Sequence, residues 1–157
     1  MPTFSEQDLM NMETQGSMET KFTPPDQGDY TAVVKEVKVR QGIAKSSGEP
    51  FHALDVMWEL QNVEDMMKRL EMDRPPVVKQ GLFLDIDEQT GKLAVGKNKN
   101  VHLGRLRESL GLNQPDKPFS FRMLEGRAAR VRVKHTVDTA RNETYANVDG
   151  VAALPPR

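Results

Sequence analysis

Residues 28–60 constrain the fold of this chain most, because they hold two long alternating segments joined by a polar loop. In the second segment, every other residue belongs to one face, which holds His52, Leu54, Val56, Trp58 and Leu60. Alternation with a period of two residues is typical of a strand that buries one face. Residues 41–50 are rich in Gly and Ser and predict a loop. The sequence therefore predicts a long β-hairpin.

The first segment, residues 30–40, changes the phase of its alternation halfway along. Val34 belongs to one face, whereas Val37 and Val39 have the opposite parity. A slip of one residue near Lys35 is what a β-bulge produces, and bulges allow a strand to curl into a small barrel. Two short strands with a kink between them are the alternative, and the chain bends here in either case.

Three more strands and two helices are predicted further along the chain. The strands are one with Leu82, Leu84 and Ile86 inward, one over residues 127–137 with Ala129, Val131, Val133, His135 and Val137 inward, and one over residues 145–154. A short strand is also predicted over residues 92–95, a helix over residues 63–73, and a helix from Asn98 or Asn100 to Leu110. We therefore predict a mainly β fold, a five-stranded OB-like barrel with a helix between strands 3 and 4 and a short helical insertion between strands 2 and 3.

The composition limits the class of protein to which this chain belongs. Its 157 residues suit one domain with a tail, and we expect a flexible acidic tail over residues 1–27 and the OB-like domain over residues 28–154. Cysteine is absent, which excludes a disulfide framework and a Cys-ligated metal. No apolar run is long enough to span a bilayer, and residues 1–15 lack the features of a secretory signal. We expect a cytoplasmic protein with no membrane partner.

The net charge of −1 conceals a strong asymmetry along the chain. Residues 1–29 hold six acidic and one basic residue, whereas residues 92–134 hold eleven basic and three acidic residues. Such a distribution favours a basic surface with an anionic partner. The alternative is that solvated Lys and Arg residues happen to cluster along the sequence.

Sequence-tolerant binding of single-stranded nucleic acid needs cations for the phosphates and exposed aromatic rings for the bases. The predicted fourth strand carries Arg130, Arg132 and Lys134 on its outer face. The other candidate binding residues are Lys35, Lys38, Arg40, Lys45, Phe51, Phe83, Lys97, Lys99 and Tyr145.

The usual ligand surface of an OB-fold presents a difficulty for this hypothesis. It covers strands two and three, between the loops that join strands one to two and four to five. The outward residues Asp55, Glu59, Asp85 and Asp87 lie on that surface and would repel a polyanion. One explanation is a binding groove displaced toward strands one and four.

Three further motifs suggest chemistry that the sequence fits poorly. Residues 91–98 nearly match a phosphate-binding P-loop, but Asn98 stands where a Ser or Thr hydroxyl should bind magnesium. Asp85, Asp87 and Glu88 could hold a metal for nuclease activity, although carboxylates beside a turn are more often solvated. The three histidines have no ligand spacing. We expect no enzymatic activity, no cofactor and no metal, and keep the metal nuclease as a lesser alternative.

Several short motifs share their spacing with a known family: Gly28-Asp29-Tyr30, Ser47-Gly48, the strand over residues 54–60, the helix over residues 103–111, and Leu124-Glu125-Gly126-Arg127. Over residues 28–152 the chain resembles small phage-encoded proteins with OB-like folds. The resemblance implies a sequence-tolerant single-stranded DNA-binding protein of phage DNA replication or recombination, located in the host cell cytoplasm. Replication or recombination proteins are its implied partners, and a homo-oligomer is among the states it allows. The chain departs from many such binders in carrying its acidic segment at the N-terminal side.

Two questions stay open at the level of sequence. A structural or adaptor protein, of a virion or a replisome, could use the same barrel to bind protein instead of DNA. The acidic segment could also fold over the basic strand and compete with DNA, a hypothesis that rests only on the opposite charges of the two segments.

Overall fold

The structure, a computed structural model, describes residues 5–155. Its strands are β1 (Gly28–Ile43), β2 (Pro50–Leu60), β3 (Val77–Leu84), β4 (Ala128–Asp138) and β5 (Glu143–Ala152). Its helices are α1 (Glu6–Asn11), α2 (Glu64–Arg69) and α3 (Val101–Ser109), with a 3-10 turn at Phe121–Leu124. None of the helices in this described range is long and apolar enough to cross a membrane.

The five strands close into a barrel in the order β1-β2-β3-β5-β4. β1 pairs antiparallel with both β2 and β4, and β4 pairs antiparallel with β5. The parallel pair of Lys79 with Asn147 joins β3 to β5 and completes the circle. The prediction of a mainly β, five-stranded barrel is confirmed, and the closed barrel is consistent with an OB-like fold.

A bulge at Lys35 divides β1 into two halves with different neighbours. The register of β1 against β2 shifts between Val34 and Glu36, where the change of phase in the sequence predicts it. In the first half, residues 28–33 pair with β4. The second half, from Glu36 to Ile43, pairs with β2 alone. The predicted bulge is confirmed, and it bends β1 so that the two halves of the strand belong to two sides of the barrel.

The inward faces of the strands fill the barrel with a hydrophobic core. Trp58 is fully buried, and its indole N–H donates to the side-chain oxygen of Gln80 at 2.9 Å. Leu106 of α3 and Leu124 of the 3-10 turn add to this core and are 1% and 0% exposed. The alternation of β2 therefore identified the core face correctly, apart from His52, which is half-buried at the end of the strand.

The hairpin of β4 and β5 extends past the barrel as an arm, and this changes the position of Val137. Residues 134–138 pair with β5 but not with β1. Val137 lies four residues beyond Val133, the last residue of β4 that pairs with β1, and is 60% exposed, so its predicted place on the inner face is wrong. His135 is half-buried at the base of the arm.

Three other predicted elements are shorter than expected or form no strand. β3 ends at Leu84, and residues 92–95 form no strand but a single bridge between Leu93 and Ile86. α2 stops before residue 73, because Glu71 takes a left-handed conformation with φ of 55° that a helix cannot continue through.

Candidate nucleic-acid interface

The outward side chains of β1, β2 and β3 form one exposed surface, which we call the outer sheet face. Paired residues of neighbouring strands point to the same side of a sheet, so each row of pairs makes a set of neighbours. The rows are Arg40 with Ala53 and Phe83, Lys38 with Asp55 and Gly81, and Glu36 with Met57 and Lys79. Phe51 lies opposite Gly42, at the end nearest the β1–β2 loop.

Phe51 and Phe83 make edge-to-face contact on the outer sheet face. Their ring centroids are 5.7 Å apart and their planes meet at 78°, a favourable aromatic geometry. Small residues leave room for both rings, since a Cβ on Gly42 would lie 2.9 Å from two ring atoms of Phe51. Ala53, the cross-strand partner of Phe83, is 1% exposed beneath the pair. Phe83 itself is 71% exposed and presents its ring to solvent.

Arg40 neutralises the carboxylate that lies at the centre of this face. Its Nε lies 3.1 Å from Asp55 Oδ2, and its Nη2 lies 3.5 Å from Asp55 Oδ1. The guanidinium carbon also lies 5.4 Å from the centroid of the Phe51 ring, within the range of a cation–π interaction. Asp55 is only 9% exposed, so its charge is largely hidden from a ligand. A groove displaced from strands two and three is therefore not needed to explain Asp55.

The other acidic residues of concern have contacts of their own. Asp85 Oδ2 accepts the N–H of Asn100 at 2.8 Å, and the Asn100 side chain bonds in turn to the N–H and C=O of Asp85. Asn100 precedes α3 as predicted, but its side chain serves this loop instead of capping the helix. Asp87 Oδ1 accepts the N–H of Gln89, and Glu59 accepts the side-chain amide of Gln61. Within residues 5–155 no group of three His, Cys, Asp or Glu side chains could hold a metal ion.

Lys79 is a cation of the outer sheet face that sequence reasoning missed. It is exposed, and it pairs with Met57 on one side and Asn147 on the other. Asn147 pairs with Lys134 of β4, so the row that begins on β1 continues around the barrel to a predicted binding residue. The alternation of β3 contained the signal, because Lys79 lies four residues before Phe83 and therefore on the same face.

The three basic residues of β4 are exposed, but they are not equivalent. Arg132 Nε lies 2.8 Å from Asp149 Oδ1, and Asp29 of β1 is the cross-strand partner of Arg132. The hydrogen bond to Asp149 raises the pKa of Arg132. A phosphate at Arg132 would therefore compete with carboxylates already in place, whereas Lys134 lies beside Asn147 and Arg130 has Thr31 as its partner on β1.

Of the remaining predicted lysines, three lie away from the aromatic pair and one lies in the loop beside it. Lys35 is exposed at the bulge of β1, and Lys45 is exposed in the loop between β1 and β2. Lys97 and Lys99 lie in the loop that precedes α3. Only Lys45 is in a loop that borders the outer sheet face next to Phe51.

Tyr145 lies on the β4–β5 arm and already has a polar partner. It is 41% exposed, and its hydroxyl donates a hydrogen bond to the carboxylate of Glu143, which raises the pKa of Tyr145. Residues 19–24 and residues 142–145 line one shallow depression, so the acidic segment passes beside this tyrosine.

The end of the predicted tail contacts the barrel directly. The Pro25 carbonyl oxygen lies 2.7 Å from His135 Nε2, and the Gln27 side-chain oxygen accepts the N–H of His135 at 2.8 Å. Asp26 forms an ion pair with Arg69 of α2. The two contacts with His135 lie at the base of the β4–β5 arm, and the ion pair with Arg69 joins the same segment to α2.

The outer sheet face thus holds the exposed ring of Phe83, the half-buried ring of Phe51 and the cations Lys38, Arg40 and Lys79. A comparison with models of known protein families finds no match, and a search of curated proteins finds no significant match. The proposal for function therefore rests on this geometry and on the chemistry that it permits.

Proposed function

We propose that this protein binds single-stranded DNA in a sequence-tolerant manner, without enzymatic activity, through the outer sheet face of an OB-like barrel. The observation that supports the proposal is the contact of Phe51 with Phe83 beside Arg40, with Lys38 and Lys79 further along the same face. Oligonucleotides bind OB-folds over strands two and three, where Phe51, Phe83 and Lys79 lie, and Lys38 and Arg40 lie on the adjoining β1.

The residues of the face suit the two parts of a nucleotide. A base can stack on the open ring of Phe83, and stacking tolerates any sequence because every base has a π-face. Phosphates can bind Lys79, with Lys134 further along its row, and Lys38, where a phosphate would compete with the carboxylate of Glu36 at 3.5 Å from the Lys38 ammonium. Charge attraction of this kind releases counterions and weakens as salt rises.

The biological context of the proposal comes from the resemblance to phage proteins. It is DNA replication or recombination in an infected cell, with the protein covering transiently exposed single strands. Its proposed protein partners are those of replication or recombination.

A titration with labelled oligonucleotides tests the proposal directly. Trp58 is the single tryptophan and is fully buried, so fluorescence anisotropy of a labelled oligo-dT is a better signal than intrinsic fluorescence. We expect binding to oligo-dT that weakens with salt and little binding to a duplex of the same length. Equal affinity for both forms, or none for either, would contradict the proposal.

Two pairs of variants link that affinity to the outer sheet face. Phe83→Ala should weaken binding about 5- to 150-fold, the equivalent of about 1–3 kcal/mol for one stacked base. Phe22→Ala is the matched control, because Phe22 is 99% exposed in the segment before β1. Lys79→Ala should lower the salt slope by about 0.7, the value for one phosphate of a single strand. Lys68→Ala, an exposed lysine of α2, should leave the slope unchanged.

The exposed aromatic pair also gives the adaptor hypothesis one observation in its favour. A ring that is 71% exposed, as Phe83 is, could equally pack against a protein surface. This alternative predicts no affinity for oligo-dT under any salt condition, so the same titration separates the two functions.

A further inference from the structure

The second half of β1 has one edge that no strand covers. On one side, β1 pairs with β2 as far as Ile43. On the other side, β4 pairs with residues 28–33, and Val34 bonds to the backbone of residues 126–127. From residue 35 to residue 43 this second edge has no paired strand among the part of the chain that the structure describes. An uncovered edge exposes backbone N–H and C=O groups to which another strand can bind.

Next to this edge, apolar side chains lie on the side of the sheet that faces the core. Val39 pairs with the buried Leu54 but is itself 54% exposed, and Ile43 is 70% exposed. Val37, between the bulge and Val39, is half-buried. The inner face of the sheet therefore continues beyond the barrel core to an edge where its apolar side chains reach solvent.

We propose that a second copy of this chain binds here, with the two β1 edges antiparallel about a two-fold axis at Lys38. In this register Glu36 of each copy faces Arg40 of the other, which gives two oppositely charged pairs. Val37 of each copy faces Val39 of the other, which gives two apolar pairs on the inner face. The cost is one like-charge pair, Lys38 with its counterpart on the axis.

The neighbouring two-fold registers are less complementary. An axis at Val39 would place Lys38 of each copy against Arg40 of the other, two like-charge pairs. An axis at Val37 would pair Glu36 with Lys38 twice and give no like-charge pair, but it would place Val39 against the bulged Lys35 and leave one apolar pair instead of two. A two-fold interface is closed, since the same edge serves both copies and no edge is left for a third.

Edge pairing joins the two molecules into one sheet without covering the outer sheet face. The order of strands becomes β3-β2-β1-β1-β2-β3, with an aromatic pair of Phe51 and Phe83 on each half. The interface is short, and we expect it at the weak end of specific interfaces, below about 1,200 Å² of buried surface. The dimer does not depend on DNA binding, so the two proposals can fail separately.

Single-cysteine variants test the register, because the chain has no native cysteine. Lys38→Cys places two thiols directly opposite each other across the axis, about 5 Å apart between Cβ atoms, and should form a covalent dimer under mild oxidation. Glu36→Cys is the matched control on the same strand, because its two thiols would lie four residues apart, about 13 Å. Equal rates of disulfide formation in the two variants would overturn the register.

Sedimentation equilibrium of the unmodified chain tests the dimer itself. We expect the average mass to rise from 17.7 kDa toward twice that value as concentration increases. Val39→Lys should weaken the association at least about tenfold. Val95→Lys, at an 89% exposed valine outside the strands, should have no effect. A mass that stays monomeric to about 0.1 mM, or a dimer unchanged by Val39→Lys, would refute the proposed interface.

Discussion

Replacing Gly42 with Ala tests whether the position of the Phe51 ring contributes to binding. The new Cβ would lie 2.9 Å from two ring atoms of Phe51, closer than carbon atoms can approach, so the ring must turn away. Gly42 does not have a positive φ, and its backbone therefore accepts alanine without strain. The substitution therefore moves the Phe51 ring but leaves both aromatic side chains of the pair in the protein.

The expected cost is large for binding and small for folding. Alanine stabilises by about 0.4–1 kcal/mol through the unfolded chain, and a ring turned from its rotamer costs about 0.5–1.5 kcal/mol, so the two effects nearly cancel. Loss of part of a stacking contribution of about 1–3 kcal/mol per base should weaken binding to oligo-dT by about three- to tenfold. Anisotropy titration measures the affinity, and thermal unfolding followed by circular dichroism measures the stability.

Gly81→Ala provides a matched control on the same face. A Cβ there would lie 3.6 Å from Asp55 Oδ1, an ordinary contact, so affinity should stay within about twofold of the original. If Gly42→Ala binds normally while Phe51→Ala is weak, the placement of the ring is irrelevant. If Phe51→Ala also binds normally, the aromatic pair is not part of the binding surface.

Three further predictions concern the core, the response to alkaline pH and the basic strand. Gln80→Leu leaves the buried indole N–H of Trp58 without its acceptor and should cost about 1–3 kcal/mol of unfolding free energy, whereas no loss would show the bond to be dispensable. Burial raises the pKa of Tyr30 above its ordinary 10.0, so the folded state holds this proton more tightly and stability should fall as pH rises above 10.0. Urea unfolding midpoints measured below and above pH 10.0 give this loss of stability, and the Tyr30→Phe variant should show a smaller loss. Lys134→Ala should weaken oligo-dT binding more than Arg132→Ala, which removes a side chain already paired with carboxylates, and the reverse order would contradict this assignment.

The strands and the bulge could be predicted because their signals are local. The side chains of β2 alternate between core and surface along one strand, and the slip of phase at Lys35 is visible within β1 alone. Val137 was misassigned because alternation does not show where a strand leaves the barrel. Likewise, nothing near Lys79 in the sequence indicates that Asn147 is its partner, and this pair closes the barrel.

The candidate site could be predicted only in part, because it depends on partners across strands. Phe83 and Arg40 were found as residues of the right type, but their contacts depend on the register of three strands. The same register pairs Arg40 with Asp55, and no local pattern indicates that this carboxylate is neutralised. The repulsion expected from Asp55 is therefore smaller than the sequence alone suggests.

Charge summed along the sequence does not locate the cations of the outer sheet face, for the same reason. Residues 92–134 hold most of the excess basic charge, yet there Arg107 lies 4.2 Å from the ring of Phe119, and Arg132 lies beside Asp149. Residues 30–91 carry eleven acids against eight bases, yet they supply every cation that borders the aromatic pair. A strand presents only alternate side chains to one face, so the net charge of a segment does not determine the charge of its surface. Binding by this barrel is therefore expected to respond to single cations of the outer sheet face more than to the total charge of β4.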